Sequence, residues 1–230
     1  MADEVERRLT AHLRTWLGMW PPPPGQLAVV GSPGRERPGW DGQVRPVAGV
    51  VREDGAGVLS VPPGVRARIA PLAAEGPGRL GPALGSALGL GTATLGRGVF
   101  RWSAAPARFP EVGEWVATTD PRVPAWLSPF GGTVLIAWDH DGRYGAGVGC
   151  KRHDPWGREL AVVTEEHLRG RGIARALVAQ AAAAVLAAGR VPTYLHRPDN
   201  QASASVAAAA GFPDRGWEVL GLQAGRDAPP

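Results

Sequence analysis

The clearest hydrophobic pattern lies in the second half of the chain, where three short apolar runs are separated by turn residues. Gly132–Trp138 and Tyr144–Cys150 have the composition of β-strands, and Asp139-His140-Asp141-Gly142 between them suits the turn of an antiparallel hairpin. A third strand is predicted at Glu159–Val163, after a second turn at Asp154-Pro155-Trp156-Gly157. The pattern therefore predicts three consecutive strands, of which the first two form a hairpin.

Two helical segments follow the third strand and alternate with two further strands. The first helix is predicted from about residue 170 to 188, with Gly189 just past its end. Its apolar residues recur every three or four positions: Ile173, Leu177, Ala181, Val185 and Ala188. Next come a strand at Val191–His196, a helix at about 200–210 and a strand at Trp217–Leu222. This alternation predicts an α/β (α+β) fold with helices packed on a mixed sheet.

The first half of the chain opens with an amphipathic helix, predicted over residues 4–20. Its apolar positions follow a helical spacing: Val5, Leu9, Leu13, Trp16, Leu17 and Trp20. The proline run Pro21–Pro24 is expected to end this helix. We interpret the apolar stripe as a face that docks on the rest of the protein, and a homodimer contact is the alternative.

The remainder of the first half is less regular. Short β-prone runs at Leu27–Val30, Val47–Arg52 and Gly57–Val61 are separated by Gly/Pro turns. Residues 64–90 predict one or two short helices, and three prolines interrupt their pattern. An N-terminal α/β region is therefore expected.

A domain boundary is placed where glycines crowd together between residues 90 and 98. It divides the chain into an N-terminal region, residues 1–95, and a second domain, residues 96–225. Residues 226–230 are predicted to be a loose tail.

Composition and charge narrow the function classes. The 230 residues are 44% hydrophobic and 20% charged, which is ordinary for a globular protein. The formal net charge is +4, and the pI is about 10.1. All but one of the 25 basic residues are arginine, a bias typical of GC-rich bacterial coding. Because these residues form no cluster or run, we expect no nucleic-acid partner.

A soluble cytoplasmic protein is expected from the remaining bulk features. No stretch approaches about 18 uninterrupted apolar residues, so no membrane span is predicted. The start Met1-Ala2-Asp3-Glu4 lacks the basic and apolar regions of a secretory signal. A lone Cys150 excludes an internal disulfide framework.

The turn and helix start after the third strand carry the strongest chemical signal. An apolar strand enters a short turn, and a helix opens on Gly170-x-Gly172. The first backbone N–H groups of a helix lack intrahelical partners, and the helix dipole adds positive potential, so this geometry binds phosphate. Arg169, Arg171 and Arg175 add cationic groups nearby. Taken by itself, the motif also fits a plain helix-capping turn.

Two separated motifs resemble those of one enzyme family. The spacing Arg169-x-x-Gly172-x-Ala174 resembles the Arg/Gln-x-x-Gly-x-Gly/Ala signature of the GNAT superfamily of N-acetyltransferases. Further along, Asn200-x-x-Ser203 leads a helix that ends in Ala210-Gly211-Phe212, which is similar to the second cofactor segment of the family. The resemblance covers residues 131–222 and implies a mixed, mostly antiparallel central sheet flanked by helices. It also suggests that the N-terminal region is a degenerate second copy or a wall of the acceptor pocket.

The resemblance implies which residues bind acetyl-CoA as co-substrate. Backbone groups of residues 162–164 are expected to pair with the pantetheine arm, and the amides of residues 170–174 to surround the pyrophosphate. Asn200 is expected to contact the cofactor through its side-chain amide, and its position also makes it a helix N-cap. The predicted cofactor-binding residues are Val162, Val163, Thr164, Arg169, Gly170, Arg171, Gly172, Ile173, Ala174, Asn200 and Ser203.

Glu159 is the predicted catalytic residue. An amine must be deprotonated before it attacks a thioester, so a general base is useful. Glu159 lies near where some family members place a catalytic Glu, and alternation puts it on one strand face with Ala161 and Val163. The alternative is a strand-edge carboxylate paired with Arg152 or Arg158. His153 and Asp154 are second-choice bases.

The usual general acid of the family is a Tyr a few residues beyond Gly-Phe, and the segment Pro213–Trp217 lacks one. Water, Tyr194 or another group could protonate the leaving thiolate, or the domain could be catalytically weakened. Cys150 has no His–Asp support at a recognisable spacing, so a nucleophilic role is disfavoured. No two histidines have metal-ligand spacing, and no metal is predicted. Four tryptophans are expected in the core: Trp102, Trp115, Trp126 and Trp138.

The sequence thus predicts an N-acyltransferase that moves an acetyl group from acetyl-CoA to a primary amine by direct attack in a ternary complex. The acceptor is a small-molecule or peptide amine, which no motif identifies further. A non-catalytic acyl-CoA-binding sensor or scaffold is the alternative, favoured by the missing Tyr. A dinucleotide site would need Gly where Arg175 stands, and no Gly-Lys-Ser/Thr motif is present.

Overall fold

The computed structural model describes residues 2–74, 77–91 and 93–223. The larger of two units contains the described residues up to His12 together with Arg101–Asp214. The smaller contains Leu13–Phe100 and the described residues from Arg215 on. The tail predicted at 226–230 lies outside the described residues.

This partition differs from the single boundary predicted near residue 95. That position falls inside strand β4, Thr94–Trp102, and the chain returns to the smaller unit after Asp214. There it forms β10, Glu218–Gln223, which pairs antiparallel with β4 and with β2, Ala48–Val51. Pairing between strands so far apart in sequence leaves no local signal, so the cluster of glycines between residues 90 and 98 could not reveal it.

The described residues of the larger unit form a five-stranded sheet. The strands are β5 (Glu114–Ala117), β6 (Thr133–Trp138), β7 (Tyr144–Lys151), β8 (Gly157–Thr164) and β9 (Val191–His196). Their order is β9-β8-β7-β6-β5, and neighbours are antiparallel except β8 and β9, which run parallel. The predicted mixed, mostly antiparallel sheet is confirmed.

Alternating glycines in β7 bring a short helix close to one face of this sheet. The 3-10 helix Ala125–Phe130 packs there, and a Cβ on Gly149 would lie 2.5 Å from the Phe130 ring. A Cβ on Gly147 would lie 2.9 Å from Leu127. Residues between the glycines point to the other face and join the core there. Glycine is therefore required at these positions by packing.

That other face is covered by helices α4, Ile173–Ala187, and α5, Gln201–Ala209. Helix α4 is apolar almost all round, as expected for a buried helix, and Gly189, with φ of 73°, lies two residues beyond its last residue. The core beneath the helices includes Leu135, Val148, Leu160, Leu177, Val178, Ala181, Val185, Tyr194, Ala207 and Phe212. The two predicted helices and the strand between them are confirmed.

Helix α1, Ala2–Leu17, ends three residues before the predicted limit. Gly18 has φ of 89° and its amide donates to the Arg14 carbonyl at 2.9 Å, so a left-handed glycine ends the helix ahead of the prolines. The apolar stripe is buried, as predicted for a docking face: Val5, Leu9, Leu13 and Leu17 are at most 4% exposed.

In the smaller unit the described strands follow the order β1-β3-β2-β10-β4. Strands β1, Leu27–Gly31, and β3, Gly57–Val61, are parallel, and the other neighbours are antiparallel. Helices α2, Arg66–Ala73, and α3, Pro77–Leu88, belong to the same apolar cluster as these strands. Pro71 and Pro82 lie inside the two helices rather than ending them. Among the residues described, no helix is long and apolar enough to cross a membrane.

Candidate active site

The parallel strands β8 and β9 separate before either one ends. Cα pairing runs from Gly157 opposite Val191 to Leu160 opposite Tyr194. Beyond that point β8 continues to Thr164, where it pairs only with β7 in the described sheet. One edge of residues 161–164 therefore faces a gap. Backbone N–H and C=O groups at such an edge are available to an extended ligand that adds as a strand.

The hydrogen-bond pattern shows which residues of β8 face this gap. The Glu165 amide donates to the Gly145 carbonyl of β7 at 2.8 Å, so odd-numbered residues direct their backbone groups to β7. The Val163 carbonyl accepts from the Tyr144 hydroxyl at 3.1 Å. Val162 and Thr164 therefore present their backbone groups to the gap, and Val163 does not. The Thr164 carbonyl also accepts from Arg169 Nε at 3.2 Å.

A cleft of about 550 Å³ opens beside this gap, between the strand ends and the starts of α4 and α5. Most of the predicted cofactor residues line it: Val162, Val163, Thr164, Arg169, Gly170, Gly172, Ile173, Ala174, Asn200 and Ser203. Arg171 and Glu159 do not appear in the cleft wall. The structure thus brings together two motifs that stand well apart in the sequence.

The start of α4 has the geometry of an anion site. Gly170 and Gly172 have φ of 76° and 79°, a left-handed conformation that other residues adopt at a cost of about 1–2 kcal/mol. Helix α4 begins directly after Gly172. Because the amides of its first turn have no carbonyl one turn earlier to bond, they are available to a ligand in the cleft. A phosphate there would be bound by backbone groups and by the helix dipole.

Arg175 places a cation over this helix start. A Cβ built on Gly172 would lie 2.9 Å from Arg175 Nε, and the Arg175 guanidinium lies 5.5 Å from the centre of the Phe109 ring. The ring supports the guanidinium through a cation–π contact. Phe109 was not predicted, because it lies outside both motifs and only the fold brings it next to Arg175.

Asn200 and Thr164 also carry polar groups suited to a ligand. Asn200 Oδ1 accepts from the Ser203 amide at 3.0 Å, which confirms the N-cap role. The Asn200 amide nitrogen carries two further donors. Thr164 Oγ1 is buried and has no hydrogen-bond partner within the described protein. A buried hydroxyl without a partner costs about 1–3 kcal/mol, so a polar ligand in the cleft would relieve this cost.

Glu159 lies on the sheet face opposite the cleft helices. It is 5% exposed, and its carboxylate bonds to Lys151 Nζ and to His153 Nε2, the latter at 2.8 Å. Burial raises its pKa, but the His153 hydrogen bond and the Lys151 charge outweigh burial and lower it to about 2. The predicted pairing with Arg152 or Arg158 is wrong. Strand register explains why, because Lys151 stands directly opposite Glu159 on β7.

The second-choice base Asp154 belongs to a buried structural pair. Asp154 Oδ2 lies 2.6 Å from His12 Nδ1, and both side chains are 1% exposed. Asp154 Oδ1 accepts from the amides of Trp156 and Gly157 at 2.7 and 3.0 Å. The carboxylate thus anchors the turn before β8.

Residues 99–212 match the model of the acetyltransferase (GNAT) family. The match covers the diverging strands, the cleft and both helices that flank it.

Residues 99–212 are therefore a GNAT acetyltransferase domain.

Solved structures similar to this chain are distant. A GNAT-family protein from Novosphingobium aromaticivorans is 23% identical, with 56% of this chain and 64% of that chain covered and a TM-score of 0.46. A GNAT-family acetyltransferase from Colwellia psychrerythraea is 15% identical, with 58% and 57% covered and a TM-score of 0.45. This chain therefore spans less than two thirds of either structure. No curated protein matches it.

The segment after Gly211-Phe212, which lacks a Tyr, is contacted by a buried arginine of this GNAT domain, Arg101. Arg101 is 6% exposed and donates to the Phe212 carbonyl at 3.2 Å and to Asp214 at 2.9 Å. It also donates to His196 Nε2 at 3.1 Å, while His196 Nδ1 lies 2.9 Å from the Arg197 carbonyl. This arrangement fixes the neutral His196 tautomer protonated at Nδ1. No local motif marks Arg101, so the sequence did not reveal it.

The structure bears on two expectations, the core position of the tryptophans and the reactivity of Cys150. Trp115 is 43% exposed on the edge strand β5, so its predicted core position is wrong. Trp138 is half-buried, with the Arg122 guanidinium 4.4 Å from its ring centre. Burial raises the pKa of Cys150 to about 11, which disfavours the nucleophilic thiolate.

One group of potential metal ligands occurs among the described residues. Ligand atoms of Asp139, His140 and Asp141 lie within 4.8 Å of one another on the β6–β7 turn. Asp139 Oδ1 already accepts from the amides of Asp141 and Arg143, both at 2.9 Å. These hydrogen bonds shape the turn, and the turn accounts for the proximity of the three side chains.

Proposed function

We propose that this chain transfers an acetyl group from acetyl-CoA to an amine within a ternary complex. The observation that supports it is the divergence of β8 and β9 directly beside the glycine-lined start of α4. An extended thiol-bearing arm and a pyrophosphate need these two features side by side. Acetyl-CoA supplies the activated thioester, and the protein positions it.

The proposed binding mode assigns one part of the cofactor to each part of the cleft. Val162 and Thr164 would bond the pantetheine amides through backbone groups that face the gap. The amides that follow Gly172, with Arg175 above them, would hold the pyrophosphate. The Asn200 amide and Thr164 Oγ1 would satisfy polar atoms of the arm.

The base assignment of Glu159 stays a prediction, and its low pKa changes how the residue would act. A carboxylate with a pKa of about 2 takes up a proton poorly at neutral pH. We propose that Glu159 holds His153 and that the pair receives the proton of the attacking amine through water. The Glu159–His153 bond of 2.8 Å supports this role.

A non-catalytic acyl-CoA-binding module is the second candidate. It is favoured by the missing Tyr after Gly211-Phe212 and by the ion pair that neutralises Glu159. The two candidates share the cofactor site and differ only in turnover.

The test is calorimetric titration with acetyl-CoA, followed by mass spectrometry of reactions with a panel of small-molecule and peptide amines. Saturable binding with amine-dependent release of CoA supports the transferase. Binding without release from any amine supports the sensor. No binding of acetyl-CoA would contradict both candidates.

A further inference from the structure

Three arginines that stand apart in the sequence come together at the end of the sheet where β8 and β9 begin. Arg152 directly follows β7, Arg158 is the second residue of β8, and Arg190 directly precedes β9. At this end Gly157 stands opposite Val191. The gap between β8 and β9 lies at the other end of β8, about 20 Å away at about 3.3 Å per residue. We call this group the arginine cluster, and it lies apart from the cleft proposed for acetyl-CoA.

Backbone carbonyls bind the guanidiniums of the arginine cluster. Arg158 Nη1 donates to the Asp154 carbonyl at 2.8 Å, and Arg190 Nε donates to the adjacent Pro155 carbonyl at 3.2 Å. Arg152 Nη2 donates to a carbonyl shortly before β6, at 3.1 Å. No carboxylate of the described residues forms an ion pair with any of the three. A guanidinium has five N–H donors, so each arginine keeps donors for a further partner.

The positive charge of the arginine cluster is not compensated within the described protein. A carbonyl dipole accepts a hydrogen bond but carries no net charge. Burial lowers the pKa of the Arg158 guanidinium below its ordinary value, and the charges of Arg190 and Arg152 lower it further. Cys150 and Asp154 have smaller, opposite effects. An anionic group bound at the cluster would therefore relieve repulsion among the three arginines.

An exposed indole lies on the turn that carries these carbonyls. Trp156 is 44% exposed. Its amide donates to Asp154 Oδ1 at 2.7 Å, and its carbonyl accepts from the Val191 amide at 2.9 Å. The other oxygen of Asp154 lies 2.6 Å from the buried His12 ring. The turn thus presents an apolar ring next to the arginine cluster on a fixed backbone, and Trp and Arg are both enriched at protein–protein interfaces.

This combination fits an acidic polypeptide better than it fits other anions. A small anion such as phosphate would leave the exposed indole uncovered. Nucleic acid binds along a longer row of cations, and the neighbouring Lys151 is already paired with Glu159. We propose that the arginine cluster and Trp156 form a docking surface for an acidic segment of a partner protein. Its carboxylates pair with the guanidiniums, and an apolar side chain covers the indole. This inference goes beyond the proposed acetyl transfer and does not depend on it.

Fluorescence anisotropy of a labelled peptide, added to the full chain, measures this docking. The peptide contains four glutamates and one leucine, and a second peptide with glutamine in place of each glutamate is the control. The parent should bind the acidic peptide saturably and the control peptide at least about tenfold more weakly. Arg190→Gln should weaken binding of the acidic peptide about tenfold. Arg152→Gln should weaken it about threefold, because its side chain is exposed.

Two further variants separate the docking surface from net charge and from simple anion binding. Arg143→Gln removes the same charge from the β6–β7 turn, where the side chain is 79% exposed, and should keep parental affinity for the peptide. Trp156→Ala should weaken binding a few-fold, since the leucine loses its apolar contact. Acetyl-CoA affinity should stay parental in Arg190→Gln, because the cluster lies apart from the cleft.

Several results would overturn the inference and leave the proposed function standing. The first is no saturable binding of the acidic peptide, or equal affinity in the parent, Arg190→Gln and Arg152→Gln. Unchanged peptide affinity in Trp156→Ala would reduce the surface to a simple anion site. A single-stranded oligonucleotide that binds more tightly than the peptide, and loses affinity in Arg190→Gln, would assign the surface to nucleic acid. A parental dimer that dissociates in Arg190→Gln would assign it to a second copy of this chain. Should Arg190→Gln not fold, equal affinity in the parent and Arg152→Gln would decide against the inference.

Discussion

Among the described strands, each unit contains one parallel pair, and the two pairs differ in how far they stay together. In the smaller unit, β1 and β3 stay in register over all five pairs from Leu27–Gly57 to Gly31–Val61. In the larger unit, β8 and β9 stop pairing after Leu160 and Tyr194 although both strands continue. The first pair therefore stays joined along the full length of both strands. The second leaves backbone groups for a ligand, which is why the candidate site belongs to the larger unit.

This comparison also bears on the prediction that the N-terminal region is a degenerate second copy. A copy that binds a cofactor in the same way would need two diverging parallel strands joined by a helix, as α4 joins β8 and β9. In the smaller unit, β2 intervenes in sequence between β1 and β3. The second-copy relationship stays a prediction, and a second cofactor site of the same kind has no support in the described strands.

The largest expected effect concerns the buried carboxylate of Glu159 and its two partners, Lys151 and His153. Glu159→Gln should lower the free energy of unfolding by about 3 kcal/mol, because Lys151 and His153 lose their buried anion. The matched change Glu218→Gln, in an ion pair with Arg97 whose members are 39% and 45% exposed, should cost under about 1 kcal/mol. Urea denaturation of both variants measures the difference. Equal losses would show that the Glu159 group contributes no more than a surface pair.

The same group predicts a pH dependence. The folded pKa of Glu159 is about 2, against an ordinary value of 4.5. A depressed carboxylate pKa means that the unfolded chain binds the proton more tightly. The contribution to stability is therefore complete above about pH 4.5 and is lost as pH falls towards 2. Denaturation midpoints of the parent should decline over this window more steeply than those of Glu159→Gln.

The next effect tests the anion site at α4. Gly172→Glu should weaken acetyl-CoA binding at least about a hundredfold, because a carboxylate would occupy the helix start and repel phosphate. Gly142→Glu is the matched control, since Gly142 also has positive φ, of 73°, with nothing within 4 Å of its Cβ position. Calorimetry measures both affinities. A folded Gly172→Glu protein with parental affinity would refute the site.

A smaller effect separates residues of β8 that face the gap from those that face β7. Val162→Pro removes an N–H directed to the gap and should weaken acetyl-CoA binding about tenfold while the ladder to β7 survives. Val163→Pro removes an N–H directed to β7 and should mainly lower stability. Thermal melting and calorimetry distinguish the two results. If Val163→Pro weakened acetyl-CoA binding and Val162→Pro mainly lowered stability, Val163 rather than Val162 would face the gap.

The smallest expected effect distinguishes the N-cap role of Asn200 from its proposed contact with acetyl-CoA. Serine is also a good N-cap, so Asn200→Ser should keep stability within a few tenths of a kcal/mol and weaken acetyl-CoA binding a few-fold. Asn200→Ala should lose about 1 kcal/mol of stability as well. Chemical denaturation and calorimetry report these effects separately. Parental affinity in Asn200→Ser would leave Asn200 as a cap only.

The sequence predicted those parts of the site that local patterns encode. Gly170, Gly172 and the N-cap Asn200 are positions where backbone conformation restricts the residue type, so motif and structure agree. Phe109 and Arg101 escaped prediction, because packing contacts from distant segments leave no periodic or spacing signal. The partners of Glu159 depend on strand register, which alternation along one strand does not determine.

The most direct test of the central claim is amide hydrogen exchange along β8 with and without acetyl-CoA. The claim is that the gap between β8 and β9 binds the pantetheine arm. Exchange at Val162 and Thr164 should slow on addition of acetyl-CoA, while amides of β1 and β3 keep their rates. Unchanged exchange at Val162 and Thr164 in a protein saturated with acetyl-CoA would contradict the account.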